Sequence, residues 1–157
     1  MTWSTIYTPV GELSKTILVK FYLEKVIVAK RDIVFHIFSD YENYEKLLPN
    51  SYPSIRIRSV RENVAVVEEH MNLGKNELVI MAKHVAESPV MHDIFVIGGD
   101  AKGSHIRQRF IEIPEGTKVM VDADFKLKGR MKISSLFRKD SLKHDYAKIL
   151  DEFANAV

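Results

Sequence analysis

The 157-residue chain contains no cysteine. That excludes a disulfide framework, a thiolate metal site and a thiol nucleophile. It also lacks a strong charge of either sign, since 23 Lys and Arg against 21 Asp and Glu leave a net +2. So small an excess does not mark a nucleic-acid-binding surface, although a pI near 8.7 leaves room for a local basic patch. Long apolar runs are missing too. The longest, residues 26–29 and 78–82, fall far short of the ~18–20 residues that cross a bilayer. The opening MTWSTIYTPVGELSK has no positive start followed by an apolar core, so it does not read as a secretory signal and a cytoplasmic location is expected. What remains is ordinary globular composition, 46% hydrophobic and 28% charged. It excludes a disordered tail or a collagen-like repeat and fits one domain with a substantial core.

Residues 1–15 are mixed and punctuated by Pro9 and Gly11, and read as an irregular N-terminal arm that Trp3 and Tyr7 could tack to the body. Residues 16–157 read as a single domain. β-branched and aromatic residues dominate positions 16–29, the signature of a long strand. From Asp32 to Leu48, Ile33, Val34, Ile37, Phe38, Tyr41 and Tyr44 recur at helical spacings. Ser39-Asp40 divides this stretch into two short helices, because both residues favour caps over helix interiors. Five turn signals between Ser54 and Leu127 then imply six strands joined by short connections, an antiparallel meander. After Gly129 the period is helical again, with Leu142, Tyr146, Ile149, Leu150 and Phe153 on one stripe. The expected fold is α+β: a curved, seven-stranded antiparallel sheet wrapped around a long C-terminal helix, with two short helices between strands 1 and 2.

Turn geometry suggests which residues face inward. A two-residue turn at Glu115-Gly116 sends Ile106, Gln108, Phe110, Val121 and Phe125 to one face, and pairs Arg109 with Asp122 on the other. A turn at Glu62-Asn63 sends Ile55, Ile57, Ser59, Val66, Glu68 and His70 inward. A turn at Ser88-Pro89 sets His84 opposite Asp93 and continues the inner face through Ile80, Phe95 and Ile97. The interior is then apolar with a polar minority of Glu68, His70, His84, Asp93 and Gln108. Such a mixture suits a ligand pocket better than a dry core.

The run VIVAKRDIVFHIFSDYENYEKLLPN, residues 26–50, resembles the opening of START-like, helix-grip proteins (the SRPBCC superfamily). Ala29, Val34, Phe35, Phe38, Asp40 and Tyr44 fill that family's pattern of strand end, apolar helix positions, aspartate and aromatic. Residues 103–129 are similar to the family's penultimate hairpin, and the last helix is in its expected place. The resemblance extends over about residues 19–153, and is nearest to the polyketide cyclase/dehydrase, coenzyme-Q-binding and carbon monoxide dehydrogenase-associated groups. It implies a hydrophobic ligand held between sheet and helix, and specifies fold more closely than function.

The leading expectation is a noncatalytic carrier or sensor of a lipid, isoprenoid, quinone or polyketide-like molecule. Ile80, Phe95, Ile106, Phe110, Val121, Phe125, Tyr146 and Ile149 would form the walls, and Glu68, His70, His84, Asp93 and Gln108 the polar anchors. The alternative is an aromatase/cyclase- or dehydratase-like enzyme, with His84 as general base oriented by Asp93. A third reading is an adaptor acting through its surface. Neither cofactor nor metal is expected, since Glu68, His70 and His84 match no zinc spacing. Arg130, Lys132, Arg138, Lys139, Lys143 and Lys148 could touch an anionic membrane transiently, but acidic residues interrupt the cluster. Nucleic-acid binding is not expected; a homodimer is compatible with the sequence.

Overall fold

The computed structural model describes residues 2–7, 13–128 and 139–157. Eight strands run in the order β1 (Thr2–Tyr7), β2 (Leu13–Ile27), β3 (Ser54–Arg61), β4 (Val64–Leu73), β5 (Asn76–Glu87), β6 (Met91–Gly99), β7 (His105–Ile113) and β8 (Gly116–Lys128). Helix α1 (Arg31–Ser39), a 3-10 turn (Tyr41–Asn43) and α2 (Tyr44–Leu47) separate β2 from β3, and α3 (Lys139–Ala156) follows β8. All strands join one antiparallel sheet ordered β1-β2-β8-β7-β6-β5-β4-β3. The α+β class, the curved sheet gripping a C-terminal helix and the two short helices are as expected. One strand is added: residues 2–7, expected to be irregular, pair with residues 13–18 of β2. The side chains of Trp3 and Tyr7 lie outside the described residues, as does the segment holding Arg130, Lys132 and Arg138.

The helix stripe explains the packing. Leu142, Tyr146, Ile149, Leu150 and Phe153 are all buried, and face the concave side of the sheet. Phe153 stacks on Phe38 of α1 with centroids 4.1 Å apart, and Phe110 of β7 meets Phe38 and Phe35 edge-on at 5.1 and 5.0 Å. Farther along, Phe21 packs against Phe125 and Tyr146. These aromatic pairs fasten the short helices and α3 to the sheet, each adding roughly 0.5–1.5 kcal/mol beyond simple burial.

Three registers differ from expectation. The β7–β8 turn is Pro114-Glu115, so Ile113 pairs with Gly116 and the ladder moves by two residues. An even shift leaves every side chain on its face. Arg109 still reaches Asp122 at 2.8 Å, now diagonally. The β5–β6 loop spans the three residues 88–90, because Glu87 pairs with Met91. That single extra residue inverts β6: His92, Ile94 and Val96 are buried inside, while Phe95 and Ile97 are exposed on the outer face. The third difference is a bulge in β3 between Ile57 and Ser59. Ile57 therefore faces Val67 and Ile55 faces Glu69, so β4 turns Ala65, Val67, Glu69 and Met71 inward, with Glu68 and His70 outside.

Candidate functional site

On the concave face the polar side chains form one hydrogen-bonded chain. β4 contributes Glu69, β5 His84, β6 His92, β7 Gln108 and α3 Tyr146, all at most 1% exposed. His92 Nδ1 donates to Gln108 Oε1 at 2.6 Å, and Gln108 Nε2 donates to the Tyr146 hydroxyl at 3.1 Å. With Nδ1 protonated, His92 Nε2 is the acceptor of a neutral imidazole. Its single lone pair is shared between two donors, the Tyr41 hydroxyl at 3.1 Å and His84 Nδ1 at 3.0 Å. His84 Nε2 then meets Glu69 Oε2 at 2.5 Å across a single shared proton. Acid with imidazole, or carboxylate with imidazolium, is neutral overall, which suits a pair this deeply buried.

Burial drives the His92 pKa down from 6.5 to about 3, with the nearby His84 adding to the effect against the bond to Gln108. His92 is therefore uncharged at neutral pH and is a weak base. Burial, then the charge of Glu69, raises the Tyr41 phenol, so it remains a hydrogen-bond donor. Burial likewise raises Tyr146. The Tyr41 ring also lies on the His84 ring, with centroids 4.2 Å apart.

Of the expected polar anchors, the structure brings His84 and Gln108 together through His92. Asp93 is not the partner of His84. It lies on the outer face, where Arg107 Nε donates to it at 2.9 Å and His105 Nε2 at 2.7 Å. Burial alone would raise its pKa, but these two partners hold the carboxyl below its usual range. The expected His84/Asp93 acid–base pair therefore does not exist. Glu68 faces outward, and His70 binds Glu77 at 2.6 Å on the surface. Phe95 stacks on His105 outside the sheet. Ile80, Ile106 and Phe125 line an internal cavity, whereas Phe110, Val121, Tyr146 and Ile149 are packed core. Glu69, His92 and Tyr41 are the site residues that sequence reasoning misses. Their signals are the Ser88-Pro89-Val90 loop, whose odd length inverts β6, and the β3 bulge, which inverts β4.

Tyr52, Ala101 and strands β4–β8 enclose a small internal cavity, and an open cleft of about 810 Å³ runs between α3 and the β4–β5 turn, lined by Ser51, Asn72, Lys75, His144, Lys148 and Ile149 among others. The cavity beside Glu69 has a volume of about 10 Å³, enough for one water at most. A further opening, about 560 Å³, lies beside Tyr41, between α1 and the 3-10 turn on one hand and β3–β5 on the other. Phe35, Tyr41, Ile57, Ala65 and Ala86 supply its apolar surface. The two alanines are the cross-strand partners of His84 and His92, so small side chains border the histidine pair where the groove forms. Among the described residues no group of three or more His, Asp or Glu is arranged to hold a metal ion.

Neither a protein-family model nor a curated protein matches this sequence. Solved structures do. A protein from Thermus thermophilus superposes with a TM-score of 0.73 at 13% identity, over 88% of this chain and 95% of that one. A START superfamily protein from Mycobacterium smegmatis gives 0.65 at 16% identity, over 89% and 93%. The fold is the START-like helix grip. The helix grip also occurs in the di-domain ARO/CYC StfQ from the steffimycin biosynthetic pathway, which matches at TM-score 0.71 and 9% identity, over 89% of this chain. This chain spans half the length of StfQ. At such identities the likeness establishes architecture alone. No described helix of this helix-grip chain is long and apolar enough to cross a membrane.

Proposed function

We propose that the protein binds a hydrophobic or amphipathic small molecule, as carrier or sensor, in the groove beside Tyr41. One observation carries this reading: the 560 Å³ groove has the volume of a small-molecule site, and Tyr41 joins it to the buried Glu69–His84–His92–Gln108 chain. The internal cavity beside Glu69 has only about 10 Å³, and the larger cleft along α3 is lined mainly by polar and charged side chains. Apolar ligand surface leaving water would supply roughly 25 cal/mol per Å² toward binding. The ARO/CYC among the structural relatives keeps an enzyme reading in view, and the Glu69–His84 pair is the observation that favours it. Both groups are almost wholly enclosed, so substrate would reach them only after side chains around them, such as Tyr41 on the groove side, move aside.

The test is Nile red fluorescence together with native mass spectrometry of protein purified from its source. One bound molecule per chain is expected, lost by at least tenfold in Ala86→Trp, which fills the groove. Val79→Trp, on the exposed outer face, should bind normally. Equal binding by both variants, with unchanged circular dichroism, would show that the ligand lies elsewhere.

A further inference from the structure

The charge around the groove is one-sided. Among the described residues Asp32, Asp40, Glu42 and Glu62 all line it, whereas neither Lys nor Arg does, although the chain as a whole carries +2. The basic side chain among these lining residues is His36, and its Nε2 is already 3.8 Å from Asp40. Asp32 accepts the backbone N–H of Ile33 and Asp40 accepts the Asn43 side-chain amide. These bonds orient two of the carboxylates without cancelling their charge. Inside the rim the surface is apolar and aromatic, with Phe35 and Tyr41 beside Ile57, Ala65 and Ala86.

We infer that the groove selects a small apolar molecule bearing a positively charged amine over fatty acids and other anionic amphiphiles. The inference rests on the groove reading above and adds the sign of the ligand head. Four carboxylates at the mouth favour a cation and repel a carboxylate, the more so at low ionic strength. An ammonium near the rim can also meet an aromatic face, as at Tyr41. The apolar tail lies against Ile57 and the two alanines. Tyr41 donates to His92, so a ligand that displaces this ring takes a donor from the buried chain; one that leaves it in place binds over its edge.

The experiment uses three probes of equal tail length, decylammonium, decanol and decanoate, titrated by calorimetry below their aggregation concentrations. Decylammonium should bind at least tenfold more tightly than decanoate in 20 mM salt, with the ratio narrowing in 500 mM salt. The exposed pair Glu42→Gln and Glu62→Gln, combined in one variant, should bring the ratio to threefold or less while decanol binding stays unchanged. Ala86→Trp should weaken all three. Equal affinity for ammonium and carboxylate, with decanol still sensitive to Ala86→Trp, overturns the charge selection and leaves the groove standing. Tighter binding of decanoate overturns it as well, as does a preference that persists in the double variant. Failure of every probe to bind, or binding that ignores Ala86→Trp, overturns the groove itself.

Discussion

His92 is the residue whose chemistry the fold changes most. Its ring is wholly buried, and its pKa falls from 6.5 to about 3. Between those values the unfolded imidazole holds a proton that the folded one does not. Stability therefore rises with pH across this window and is lost as pH falls through it. From pH 6.5 to 5 the loss should be roughly 2 kcal/mol, at about 1.4 kcal/mol per pH unit. Asp93 does not interfere, because its depressed pKa acts only below its ordinary value of 3.8. Urea unfolding at pH 7, 6, 5.5 and 5 would measure this slope, and His92→Gln should flatten it. An equal slope in both proteins would place the acid sensitivity in another group. The sequence made His84 and Gln108 visible as inward-facing polar residues, since each lies on a strand whose apolar alternation is unbroken. His92 and Glu69 were hidden because each belongs to a strand that a single inserted residue inverts.

At the scale of elements, turn length decides which chemistry faces inward. A two-residue register error at the β7–β8 hairpin is harmless, since strand side chains repeat every two residues. A one-residue error at the β5–β6 loop exchanges His92 for Asp93. The far end of that hairpin shows how the ladder is held there. Gly99, with φ of +79°, pairs with Ile80, and the next residue returns two hydrogen bonds to Val79: Asp100 N–H donates to the Val79 carbonyl, and the Asp100 carboxylate accepts Val79 N–H, each at 2.9 Å. A Cβ on Gly99 would lie 2.3 Å from the Val79 oxygen. Gly99→Ala should thus destabilise by more than about 1 kcal/mol, combining an unfavourable φ with a backbone clash. The companion Gly98→Ala, whose Cβ would sit 3.4 Å from Met81 Cβ, should cost less. Thermal melts of the two variants would compare them, with a shift of roughly 2–4 °C per kcal/mol. Equal melting points would mean that the backbone around Gly99 relaxes to accept a side chain.

For the molecule as a whole, the composition and the long amphipathic helix made the architecture legible, because one apolar helix face and one apolar sheet face must cover each other. The first strand was not legible. Residues 2–7 carry no apolar period, and their strand conformation comes from pairing with the end of β2, beyond the reach of a local pattern. β2 bonds to β8 from Thr16 to Ile27, while residues 13–18 bond to β1 on the opposite edge. Ile17, Val19 and Phe21 of β2 are buried and pair with Leu127, Phe125 and Ala123 of β8, not only with β1. Removing residues 1–12 should therefore leave the core intact and shift the melting point by less than about 5 °C. It should also bare the outer backbone groups of β2, an unprotected edge that invites pairing with a second chain. Sedimentation velocity across a concentration series should find self-association rising in the truncated protein. A truncated chain that stays in its original oligomeric state would show that β2 is guarded by its own twist and charges. A large fall in melting point would instead show that the β1–β2 pairing carries a substantial share of the stability of the sheet.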